Sequence, residues 1–183
     1  MRLLLAAAVA AFSIAPEPPR SGLLAQEPLV AAVRVFYGPH GGFETVDARL
    51  VASARKSIDM AAYVLTDRAL ASALGAAAMR GVHVRIYIDG EETGRAGSAV
   101  ELIAATPNLE LRRKSRSRDL MHLKSYQVDG RVLRSGSANF SVSGEEYQDN
   151  DLIVIDSPAA VEKFEETFER LWSRSDNQRI GAR

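Results

Sequence analysis

The sequence predicts a mixed α/β domain, one β-sheet flanked by helices on both faces. Three observations lead there. Short runs such as residues 82–88 alternate apolar and polar side chains, the period of a strand with one buried face. Between such runs, apolar residues return at three- and four-residue spacing, the period of a helix with one buried stripe. Later, Asp129-Gly130 joins two alternating runs with no helix between them, a strong signal for an antiparallel hairpin. Strands alternating with helices, followed by a hairpin, fit a mixed sheet with covered faces. The length, 183 residues, suits one domain with a sizeable core.

Residues 33–37 read as the first strand, ended by Gly38-Pro39 and Gly41-Gly42. Val46, Leu50, Val51 and Ala54 mark an amphipathic helix, and residues 57–65 a second strand. Thr66 is the expected cap of a helix whose apolar face is Leu70, Ala73, Leu74 and Ala77, with Gly81 as its stop. Val82, Val84, Ile86 and Ile88 alternate with His83, Arg85, Tyr87 and Asp89, giving a half-buried, edge-like strand. Residues 93–105 are expected to be helical, and 108–111 a short strand. After the hairpin, 151–155 is the last strand. Ser157-Pro158 supplies a cap and a first-turn proline for a final helix, with Val161, Phe164, Phe168, Leu171 and Trp172 as its buried stripe. The globular domain therefore covers 31–174, and 175–183 reads as a polar, frayed tail.

The first 25 residues read as a secretory signal peptide. Met1-Arg2 precedes the apolar run Leu3-Leu4-Leu5-Ala6-Ala7-Ala8-Val9-Ala10-Ala11-Phe12, which is shorter than the roughly 20 residues a membrane span requires. Ala15 and Ala25 are both candidate cleavage positions, and a short linker runs on to about residue 30. The protein is thus expected to be secreted or periplasmic. Zero formal charge means that attraction to a polyanion must be local, and the absence of cysteine excludes disulfides and thiolate metal sites.

The candidate site lies on the hairpin. A two-residue turn at Asp129-Gly130 pairs Val128 with Arg131 and sets Ser137 opposite His122. Opposed residues share a face, so His122, Lys124, Ser137 and Asn139 are expected to project together. An imidazole, an ammonium, a hydroxyl and an amide on one surface suit a phosphate. Asp129 occupies the turn, where aspartate is favoured for local hydrogen bonding, and is read as structural although a literal reading of the motif would make it catalytic.

The pattern His122-x-Lys124-x4-Asp129-x6-Gly136-Ser137-x-Asn139 resembles the signature of the phospholipase D superfamily. From about 32 to 172 the chain is further similar to small bacterial Nuc-type endonucleases that carry one motif per chain; residues 34–39, 60–63, 81–84 and 150–155 sit in similar places. The resemblance implies a phospholipase D/nuclease-like fold and phosphodiester hydrolysis. On that chemistry His122 attacks phosphorus as a neutral imidazole, giving a phosphohistidine that water then breaks. Lys124 and Asn139 bind the non-bridging oxygens, and Ser137 donates or positions. One histidine cannot attack and protonate the leaving oxygen at once, and no second motif copy is present. The resemblance implies the solution, a homodimer in which two copies of His122 face each other across a two-fold axis.

The resembling nucleases orient the catalytic histidine with a glutamate where this chain has Asn150; either Asp151, Asp149 or Glu146 replaces it, or the asparagine suffices. His40 in its glycine-rich turn and His83 on a polar face read as surface residues. Three scattered histidines make a poor metal site, and the proposed chemistry needs neither metal nor other cofactor. The run Arg112, Arg113, Lys114, Arg116 and Arg118 is either a solvated loop or a track for a nucleic-acid backbone. No aromatic residue interleaves it, so base stacking is not indicated. The sequence favours a non-specific endonuclease. A phospholipase D acting on phospholipid head groups is the alternative, and an inactive nucleic-acid-binding module a distant third.

Overall fold

The computed structural model describes residues 32–91, 98–115 and 119–181. Eight strands form one sheet in the order β1-β7-β6-β5-β2-β3-β4-β8. They are β1 (Ala32–Tyr37), β2 (Ser57–Ala62), β3 (His83–Ile88), β4 (Leu109–Arg113), β5 (Lys124–Val128), β6 (Val132–Gly136), β7 (Asp151–Asp156) and β8 (Gln178–Ile180). β2, β3 and β4 run parallel, joined by crossovers, and every other neighbouring pair is antiparallel. The signal peptide expected over 1–25 and its linker lie outside the described residues. Among the described residues no helix is long and apolar enough to cross a membrane.

Helices cover both faces, as the periodicities predict. α1 (Phe43–Ser53) and α2 (Arg68–Met79) bury Phe43, Leu50, Leu70 and Leu74 against Ile58, Met60, Val84, Ile86 and Tyr126. α3 (Pro158–Trp172) lays Phe164, Phe168, Leu171 and Trp172 on Ala61 and Tyr87 of the opposite face. Ser157 caps α3 by accepting the Ala160 N–H, and Pro158 sits in its first turn.

The structure departs from the sequence reading in five places. α2 is capped by Asp67, whose carboxylate accepts from the Ala69 N–H at 2.7 Å; the Thr66 N–H is taken by the Phe140 carbonyl. In place of a helix over 93–105, only Val100–Leu102 forms a 3-10 turn among the described residues, 92–97 lying outside them. β3 is an interior strand, not an edge. Part of the polar tail is β8, paired to β4 and anchored by Asn177, which donates to the Leu171 and Trp172 carbonyls and accepts from the Tyr87 hydroxyl. That ordering comes from one polar side chain and a free strand edge, which hydropathy does not report.

The fifth departure concerns the hairpin. Asp129 and Gly130 both have positive φ, 56° and 70°, and the Arg131 N–H closes the turn on the Val128 carbonyl at 3.0 Å. Pairing nevertheless resumes as Val128–Val132, Gln127–Leu133 and Tyr126–Arg134. Arg131 is an extra residue, held outside the ladder by the Ser157 N–H on its carbonyl and by Asp156 on its guanidinium. A one-residue slip exchanges faces, so the predicted pairing of His122 with Ser137 does not exist.

Candidate active site

β5 begins at Lys124, and His122 lies just before it on an exposed approach. The Tyr63 ring, at the end of β2, packs against the imidazole with centroids 4.4 Å apart and planes tilted by 56°. Lys124 is buried, its Nζ 4.9 Å from the same ring and donating to the His122 carbonyl at 2.9 Å. Burial pushes the Lys124 ammonium below the usual lysine range. Tyr63 is thus a member of the site to which the sequence analysis gave no role. Its neighbour contacts are tertiary, so no motif spacing signals it.

Ser137 and Asn139 reach the site by a different route. The pleat of β6 ends at Gly136, whose φ is +140° and where a Cβ would stand 2.4 Å from the Asp151 carbonyl oxygen. Only glycine fits there, and beyond it strand alternation no longer governs direction. The Ser137 hydroxyl donates to Asn150 Oδ1 at 3.1 Å and accepts from the Asp151 N–H at 2.9 Å, while the Ser137 N–H donates to Asp151 Oδ1 at 2.7 Å. Those Ser137 hydrogen bonds hold the Asp151 carboxyl below its ordinary range. Asn139 is half-buried, and its Oδ1 is buried with no hydrogen-bond partner among the described residues. The following residue, Phe140, gives its carbonyl to the N–H groups of Thr66 and Asp67, which docks the loop beside the Tyr63 segment.

A buried ion pair joins the two halves. Arg134, with no solvent exposure, donates through Nε and Nη2 to the two oxygens of Asp47 at 3.1 and 3.0 Å. Its Nη1 donates to the carbonyls of Lys124 and Ala138 at 2.9 and 3.2 Å. The Tyr126 hydroxyl donates to Asp47 at 2.7 Å. Beneath the same loop lies a π-helical turn, Ser143–Tyr147, in which a Cβ on Gly144 would meet the Asn139 carbonyl oxygen at 2.6 Å. It carries Glu145, which is buried; burial first, then repulsion from Asp47 and Asp67 against the pull of Arg134, pushes this carboxyl up to about 8.

Other expectations change. Asp129 lies at the opposite end of β5 from Lys124 and is structural, but its partners are distant in sequence: Oδ1 accepts from the N–H groups of Lys56 and Ser57, at 2.7 and 3.0 Å, and Oδ2 from Arg55 at 2.9 Å. Burial alone would raise its carboxyl; the three backbone donors from Lys56, Ser57 and Arg55 outweigh it and hold it low. Asn150 does not reach His122 within the chain. Its amide donates to Gly144 and Gln148 and its oxygen accepts from Ser137, so it braces the loop. Arg112 is a structural cation, stacked 4.3 Å over Trp172 and donating to the Trp172 carbonyl. Arg113 donates to Gln178 and Lys114 to the Asp119 carbonyl, while Arg116 and Arg118 lie outside the described residues. His40 and His83 are exposed, the latter 3.3 Å from Glu110. Among the described residues no group of acidic or histidine side chains is arranged to hold a metal.

The family described as cardiolipin synthase, PLD-like domain, matches residues 48–172, from within α1 to the end of α3. The chain belongs to the phospholipase D superfamily. The solved phospholipase D family member Nuc from Salmonella typhimurium is similar over 83% of this chain and 99% of its own, at 30% identity and a TM-score of 0.72. NucT from Helicobacter pylori shares the fold at a TM-score of 0.74 and 22% identity, again over 83% of this chain and 99% of its own. The mitochondrial cardiolipin hydrolase of Danio rerio is 30% identical over 75% of this chain, which spans 61% of that relative's length. Cardiolipin synthase C of Escherichia coli is 32% identical over 68% of this chain and 32% of its own. Within the phospholipase D superfamily this chain is therefore of the small, single-motif Nuc type.

Proposed function

We propose that the protein is a metal-independent endonuclease that cleaves nucleic-acid phosphodiester bonds through a phosphohistidine. The observation that carries this reading is the end-to-end likeness to Nuc, including the single motif. His122 attacks phosphorus, Lys124 and the Nδ2 of Asn139 donate to the non-bridging oxygens, and Ser137, whose hydroxyl is committed to Asn150 and Asp151, positions the loop. The second proton-transfer group is His122 of a second copy, in a two-fold homodimer. A surface for that copy is available: Val33 and Val35 on edge strand β1 are 55% and 46% exposed, beside Ile155 and Ile153 of β7, because α3 packs over β6 and β2 instead. Tyr37, 73% exposed, continues this strip to Asp151, the partner of Ser137. The charged start and short apolar run within residues 1–25, read as a signal peptide, support a secreted or periplasmic location.

Two observations favour phospholipid as the second reading. Several relatives are named cardiolipin hydrolases, and Leu120 and Leu123, on either side of His122, are exposed apolar side chains that acyl chains could meet. Purified protein in excess chelator, offered plasmid DNA, RNA, and phosphatidylcholine or cardiolipin vesicles in parallel, separates the two. Nicking of plasmid with intact vesicles is the expected result. Head-group release without nicking supports the lipid reading instead.

A further inference from the structure

We infer that Arg134 is a positioning residue for the phosphodiester reaction, setting the separation between Lys124 and the Ser137–Asn139 loop. The inference rests on the phosphodiesterase reading above, though not on which phosphodiester is cleaved. β5 and β6 are laddered only as far as Tyr126–Arg134, although β5 begins at Lys124 and β6 runs on to Gly136. Toward the site the two strands are no longer joined by their own backbone pairs. The Arg134 guanidinium crosses that gap. One nitrogen, Nη1, holds the carbonyl of Lys124, which carries the ammonium, and that of Ala138, which stands between the hydroxyl of Ser137 and the amide of Asn139.

The guanidinium itself has little freedom. Both Asp47 oxygens grip it, Tyr126 fixes one of those oxygens, and the Phe140 ring lies 4.5 Å from its centre. A planar fork with fixed donor directions can hold two carbonyls at a set spacing, which a lysine ammonium or an apolar side chain cannot. Stability does not require such a group, because a buried ion pair replaced by apolar residues of similar volume is often neutral or better. What the pair supplies here is the distance between two phosphate-binding groups, on which catalysis depends steeply.

The test replaces the network as a unit with Arg134→Met, Asp47→Leu and Tyr126→Phe together, since removing Arg134 alone strands a buried carboxylate. The probes are bis(p-nitrophenyl) phosphate for turnover and inorganic phosphate for binding by calorimetry, with circular dichroism and melting as the check on the fold. The expected result is a folded protein whose kcat falls about 100-fold and whose phosphate affinity is at least about tenfold weaker. Should the triple variant not fold, Arg134→Lys keeps the charge opposite Asp47 but loses the fork, and a fall in kcat of about tenfold is expected. A folded variant of either kind with wild-type kcat and phosphate affinity overturns the role of Arg134 alone. Failure of the wild-type protein to turn over the diester, with His122→Ala as its blank, overturns the phosphodiesterase reading and this inference with it.

Discussion

One carboxylate oxygen of Asp129 accepts the backbone N–H groups of both Lys56 and Ser57, tying the turn of the β5–β6 hairpin to the entrance of β2. The motif aspartate therefore works on the fold, at the end of β5 away from Lys124. Asp129→Ala should lower stability by about 2 kcal/mol, since it leaves backbone donors without their acceptor. The kcat of the protein that remains folded should not change. Denaturant melts and kinetics on the same sample separate the two, and a kcat loss at full folding would restore the catalytic reading. Because the folded carboxyl is held low, its contribution is present above the unfolded carboxylate range and is lost as the pH falls through the folded value.

Glu145 has the opposite sign. Its carboxyl, pushed from an ordinary 4.5 up to about 8 by burial and by Asp47 and Asp67, keeps its proton in the fold while the unfolded chain has already lost it. Between those two values the folded state binds more protons, so stability falls as pH rises. Glu145→Gln removes the titration and should stabilise the protein above about pH 5, by an amount that grows to a few kcal/mol near pH 8. Melting temperatures of both proteins across pH 4.5–8.5 check this; parallel curves would contradict it.

If two copies of His122 share one site, Val35→Asp, on the exposed face of β1, should yield monomers. Activity should fall with the dimer, by about 100-fold or more once the second imidazole is absent. Light scattering together with turnover reads both. A fully active monomer at nanomolar concentration would remove the two-fold site.

In the basic strand Arg112 is set apart from Arg113 and Lys114 by its stack on the Trp172 ring. If nucleic acid is the substrate, Lys114→Gln or Arg113→Gln should each lower the log–log salt slope of binding by about 0.9. Arg112→Gln should leave the slope alone and instead lower the melting temperature, because its guanidinium stacks on Trp172. Titrations between 50 and 200 mM salt distinguish these outcomes.

Much of this architecture is legible in the sequence. The two periodicities placed α1, α2, α3 and most strands, because each element buries one face. The motif residues were readable as a spacing, and their resemblance to phospholipase D-like chains rests on that spacing. Local rules failed where a distant partner decides. Arg131 is extruded from the hairpin by Ser157 and Asp156, β8 is ordered by Asn177, and Asp67 displaces Thr66 as a cap once Phe140 takes the Thr66 N–H. Tyr63 and Arg134 escaped for the same reason. Nothing in a strand's alternation announces that its arginine is buried against Asp47, 87 residues earlier.

The nucleophile is the point on which everything else turns. Phosphodiester cleavage by wild-type protein and by His122→Ala, prepared identically and assayed in excess chelator, tests it most directly. Robust wild-type cleavage and a loss of at least about 1,000-fold in the variant are expected. A His122→Ala protein that keeps a tenth of the wild-type rate, folded and equally pure, would contradict it.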